Sequence, residues 1–202
     1  MKTSAAAVTF CLLGSLSAPM AAHAALGDPV TLDTSGTLIA TLINNDGLYS
    51  HILELSSTPG AIVAPIFVGV GIDSFYDLGY AVNTAGDTFN LGSYSAGTEL
   101  VFRLTNYSGD SESGGSIVTQ LFTGNGALNP AQNGNPAGIP YAFVTYIDAS
   151  HIQVGFEDLF PDRTTYNNLV FDLQVVPVPV PAAAWMFGTG LMALAGLRRR
   201  TR

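Results

Sequence analysis

The densest set of groups able to do chemistry lies in the C-terminal third. There His151-Ile152-Gln153-Val154-Gly155-Phe156-Glu157-Asp158-Leu159 is followed by Asp162 and then by Tyr166-Asn167-Asn168. Glu157, Asp158 and Asp162 supply three carboxylates, and Asn167 and Asn168 two side-chain amides, in a stretch expected to turn between two strands. Hard oxygen donors of this kind are what calcium takes, so calcium is the one cofactor these residues suggest. The same side chains also suit a plain turn, in which Glu157, Asp158 and Asn167 cap backbone groups. Acid–base and nucleophilic chemistry has less support. His51 and His151 each fall within a strand, where a half-exposed imidazole needs no catalytic role. No Gly-x-Ser-x-Gly elbow, His-Glu-x-x-His pair, phosphate loop or dinucleotide fingerprint occurs. Asp73 and Asp77, beside Tyr76, imitate the acid pair of a glycosidase, although paired acids in loops are common. The chain is therefore expected not to be an enzyme, with a secreted polysaccharide-active hydrolase as the alternative. Phe75, Tyr76, Tyr80 and Tyr94 are of the type that stacks on sugar rings, core packing being their other use.

The elements that must position these groups read as strands. Short runs of Val, Ile, Leu, Phe and Tyr alternate with clusters of Gly, Asn, Ser and Thr, and long 3.6-residue periodicity is confined to the two ends. Residues 37–43 and 48–55 flank Asn44-Asn45-Asp46-Gly47, which predicts a hairpin. Residues 61–70 form a further strand that Pro65 restricts to an edge or a break. Within residues 99–106, Leu100, Phe102 and Leu104 share one face, with Val101, Arg103 and Thr105 on the other. Residues 116–122, 141–148, 151–156 and 168–175 complete the set. About eight strands at this spacing predict an all-β fold, a single β-sandwich of about 150 residues with one core. The Gly-, Asn- and Pro-rich connection over residues 123–140 is long enough to be mobile or functional.

Both ends differ from this middle. Lys2, an apolar run over residues 5–16 and Ala22-His23-Ala24 form the pattern of a secretory signal peptide, expected over residues 1–24. The one cysteine, Cys11, lies inside that run, so the exported domain over 25–176 would have no disulfide and no cysteine-bound zinc. All 15 acidic residues lie between Asp28 and Asp172, whereas of the 7 basic ones only Arg103 and Arg163 do. Fifteen acids against two bases give that span a formal charge of −13, compared with −8 for the chain. Such a surface is soluble by self-repulsion and unsuited to nucleic-acid phosphates.

Residues 177–202 read as a proline-stiffened stalk, a short apolar helix and a basic end. The run 182–197 contains no charge and as a helix would reach about 24 Å, slightly less than a hydrocarbon core. Trp185 suits the outer headgroup region, and Arg198, Arg199, Arg200 and Arg202 form a cationic stop. A buried core helix is the other reading of so short a segment. The order Val178, Pro179, Val180, Pro181, Ala182, Ala183, Ala184, Trp185, then Met186-Phe187-Gly188-Thr189-Gly190-Leu191, Ala195-Gly196-Leu197 and the arginines, resembles the PEP-CTERM sorting signal of Gram-negative bacteria. It is most similar to the subtype in which Pro-x-Pro precedes Ala-Ala-Ala-Trp, with Val180 where the commonest form has Glu. That resemblance implies passage through the secretory machinery and the inner membrane, cleavage by an exosortase, and delivery to the surface or extracellular matrix.

A second resemblance covers about residues 96–176. Gly155-Phe156-Glu157-Asp158-Leu159 and Tyr166-Asn167-Asn168-Leu169-Val170-Phe171 are similar to the Gly-Phe-Glu-Asp-Leu and Tyr-Asn-Asp-Leu-Val-Phe signature of an uncharacterised exported bacterial β-domain. Thr165 and Asn168 stand where that family usually carries acids, which weakens a cation site here. The expectation is a non-catalytic surface or matrix protein, associated with exopolysaccharide or biofilm. A calcium-binding adhesion module is a further alternative.

Overall fold

The computed structural model describes residues 23–27, 29–47, 49–56, 65–70, 80–108, 116–124, 129, 137–157 and 166–178, with Met186 and Thr189. The described residues form eleven strands: β1 (His23–Leu26), β2 (Val30–Thr31), β3 (Gly36–Asn45), β4 (Ser50–Ser56), β5 (Pro65–Gly69), β6 (Thr88–Tyr94), β7 (Glu99–Ser108), β8 (Ser116–Phe122), β9 (Ala142–Asp148), β10 (His151–Phe156) and β11 (Leu169–Val176). They build two antiparallel sheets. The first runs β1-β9-β10-β11-β3-β6, and the second β2-β7-β4-β5 with β8 also on β7. The fold is thus the all-β, sandwich-like one that the strand pattern predicts.

Two-residue periodicity explains the core. In β11, Leu169, Phe171, Leu173 and Val175 are buried, while the residues between them are not. Ile152, Val154 and Phe156 of β10 and Leu38, Ala40 and Leu42 of β3 fall on the same side by register. From the second sheet they meet Leu100, Phe102 and Leu104 of β7, Leu53 and Leu55 of β4, and Phe67 of β5. Phe171 joins the layers, its ring centroid 5.0 Å from that of Phe102 and 6.4 Å from that of Phe67. Pro65 opens β5 at the sheet edge beside a register shift, as a residue without an N–H requires.

The Asn44–Gly47 cluster does not close a hairpin. β3 pairs with β11 and β6, whereas β4 pairs with β5 and β7, so the turn carries the chain from one sheet to the other. Turn-forming residues fix a change of direction, and the partner of each strand is decided by which apolar face it must bury. Three strands escape the sequence pattern: β1, β2 and β6. β6 is half-exposed and contains Gly92 at φ 97°. β1 starts at His23, so His23 and Ala24, assigned to the leader, pair with Tyr146 and Thr145. A cut after Ala24 would leave Ala25 and Leu26 of that strand.

In the long connection after β8, Asn129 is buried and acts as a clamp. Its Oδ1 accepts from the Phe122 N–H at 2.7 Å, and its Nδ2 donates to the Ile139 carbonyl at 2.9 Å. Val178 is exposed. The other sorting-motif positions, Pro179 to Trp185, and the four terminal arginines lie outside the described residues. Among the described residues no helix is long and apolar enough to cross a membrane, and the expected span 182–197 is described only at Met186 and Thr189.

Candidate functional site

The solvent face of the first sheet carries a cleft of about 450 Å³, lined by Phe143, Thr145, Gln153, Gly155, Tyr166, Asn167 and Val170. Its floor follows from register. Phe143, Gly155 and Val170 are cross-strand neighbours on β9, β10 and β11, and Thr145, Gln153 and Asp172 form the next row. Tyr166 and Asn167, in the turn leading into β11, close one side.

Three local features hold that turn in place. Tyr166 has φ 46°, the left-handed region that a non-glycine residue seldom adopts. Gly155 permits this conformation, because a Cβ there would overlap the Tyr166 carbonyl oxygen. Asn44, from β3, donates through Nδ2 to the Asn167 carbonyl at 2.7 Å. The Tyr166 ring consequently stacks on Phe143, with centroids 5.6 Å apart and planes inclined by 29°. Beside this aromatic wall the Gln153 amide donates to Asp172 Oδ1 at 3.0 Å, and His151 Nε2 lies 3.2 Å from Asp172 Oδ2. The site offers a half-exposed apolar wall next to an amide and a hydroxyl, with one carboxylate set into the neighbouring row.

Of the expected calcium ligands, the structure places Asn167 on the cleft rim, exposed, and Asn168 in the backbone ladder. The Asn168 N–H donates to the Phe156 carbonyl at 3.1 Å, and its carbonyl accepts from the Asp46 N–H at 2.9 Å. Glu157 is buried and its N–H bonds to the Tyr141 carbonyl. Asp158 and Asp162 lie outside the described residues. Among the described residues no three His, Cys, Asp or Glu side chains converge as a metal site. Glu157 is therefore the single described carboxylate of the expected set.

His151 is half-exposed, as expected for a strand residue, but His51 is not. It is 1% exposed on the inner side of β4. Its Nδ1 lies 2.9 Å from the Tyr49 carbonyl and its Nε2 contacts the Asn45 side-chain amide. Burial pushes its pKa below the ordinary histidine value, and the Tyr49 contact opposes this only in part. Of the aromatics expected to meet sugar, Tyr80 is exposed and Tyr94 packs half-buried against the core, while Phe75 and Tyr76 lie outside the described residues. The pair that does form a wall, Phe143 and Tyr166, escapes a reading by sequence. Phe143 alternates with the buried Ala142 and Val144, which signals an outward aromatic. That Tyr166 would reach it depends on the turn. The chain was compared with protein-family models, curated proteins and solved structures, and none matches.

Proposed function

We propose that this chain is an exported, non-catalytic surface or extracellular-matrix protein whose β-sandwich associates with exopolysaccharide through the Phe143–Tyr166 cleft. The observation carrying this reading is the stacked aromatic pair beside Gln153 and Thr145. Polysaccharide sites combine these features, because a sugar ring has an apolar C–H face and a rim of hydroxyls. Export is supported by the leader pattern over residues 1–24, and sorting by an exosortase by the order of residues in 177–202. An acidic span without cysteine fits a soluble domain outside the cell and offers nothing to nucleic acid.

Cell fractionation with mass spectrometry of the mature C-terminus, in cells with and without the sorting enzyme, tests the reading. The wild type should be recovered outside the inner membrane without its arginine end, and should co-sediment with the producer's exopolysaccharide. Surface protein that retains Arg198 to Arg202, or cytoplasmic protein with both ends intact, would overturn it.

A further inference from the structure

Taking the cleft as a polysaccharide site, we propose that it receives an uncharged pyranose unit and discriminates against uronic acid units. The aromatic wall fixes the orientation. Tyr166 stacks over Phe143 with the planes inclined by 29°, so the pair presents one ring face and two ring edges to the cleft, and the Gly155 contact and the Asn44–Asn167 hydrogen bond hold the turn that aims Tyr166. A sugar laid against this wall turns its hydroxyls toward Gln153 and Thr145. The Asp172 carboxylate takes one N–H of the Gln153 amide, which sets the amide plane and leaves an oxygen and a second N–H. Amide and hydroxyl each donate and accept, the pattern a sugar hydroxyl also presents.

Charge then selects. Asp172 is the cross-strand neighbour of Gln153, and with the His151 ring neutral the carboxylate nearest the floor, 3.2 Å from that ring, is an uncompensated anion beside the ligand. Binding a second carboxylate requires a matching cation. Among the described residues the one Lys or Arg side chain is Arg103, which lies in the other sheet and is paired with Glu54 at 2.6 Å. The whole span between Asp28 and Asp172 adds repulsion of the same sign. A neutral sugar meets none of this penalty.

The test is calorimetric titration of the full chain with a panel of neutral hexasaccharides (β-glucan, α-glucan, galactan, mannan) and uronic ones (galacturonan, guluronan). At least one neutral member should bind about tenfold more tightly than either uronic member at low salt, a gap that shrinks near 1 M salt. Asp172→Asn, which keeps a hydrogen-bonding oxygen for Gln153, should narrow the gap by strengthening uronate binding. Phe143→Ala should lose about tenfold for the neutral ligand while Phe143→Trp retains it, each variant shown folded by its thermal melt. Equal or tighter uronate binding, or a gap unchanged in Asp172→Asn, overturns the selectivity. Binding that survives Phe143→Ala overturns this cleft as the site but leaves association with polysaccharide standing. If no member of either panel binds, both proposals fail.

Discussion

At His51 the register of one strand decides a protonation state. β4 turns this side chain inward, where it is 1% exposed and desolvation favours the neutral ring. The ring is set between two oxygens, the Tyr49 carbonyl at Nδ1 and Asn45 Oδ1 at Nε2, while Asn45 Nδ2 donates to the Asn83 carbonyl at 3.4 Å. The unfolded chain takes up a proton near the ordinary value of about 6.5, and the folded chain only at lower pH. Its contribution is therefore complete above about pH 6.5 and is lost as pH falls from there toward the depressed folded value, with a slope of up to about 1.4 kcal/mol per pH unit. Melting temperatures measured from pH 8 down to 5 should decline over that window, and His51→Gln should flatten the decline. A wild-type profile as flat as the variant's would refute the assignment. The strand carrying His51 was legible from sequence. Its inward side was not, because the expected hairpin pairs β4 with the wrong neighbour.

Among the elements, the arch between β3 and β4 joins the cleft to the interior. Successive strand residues point to opposite faces, so Asn44 supports the cleft turn from outside and Asn45 meets His51 from within. The same pair of residues would only close a turn in a hairpin. The pairing of β4 with β7 has a second consequence. It sets Glu54 opposite Arg103, and the guanidinium Nε and Nη2 approach the same carboxylate oxygen at 2.9 and 2.6 Å. Both side chains are 9% exposed. Removing one partner strands a buried charge, so Glu54→Leu or Arg103→Met should each cost about 3–5 kcal/mol. The double replacement Glu54→Leu with Arg103→Met should be close to neutral, since desolvation of the pair offsets most of its attraction. Urea unfolding of the three variants checks this, and additive losses in the double variant would argue against a coupled pair. Sequence alternation assigned Arg103 to the face opposite Phe102, but its partner lies 49 positions away and is supplied only by strand pairing.

At the scale of the whole molecule, the two layers share Phe171. Its ring stands between Phe102 and Phe67 of the opposite sheet and is fully buried, so truncation leaves a cavity that both layers line. Phe171→Ala should cost about 3–5 kcal/mol by urea denaturation and should lower the melting temperature. A loss below about 1 kcal/mol would mean that the sheets do not depend on this contact. Phe171 also follows Val170 of the cleft floor, so one strand carries core and site on opposite faces. By itself the sequence determined the all-β class, most strand positions and the inward face of β7 and β11, because alternation and turn residues are local properties. It also placed Tyr166, Asn167 and Gln153 in one region. Only the tertiary structure decided which strands pair, that the Asn44–Gly47 turn crosses between layers, and that Phe143 meets Tyr166. Those outcomes depend on contacts between distant segments competing to bury the same apolar surface, which no local pattern encodes.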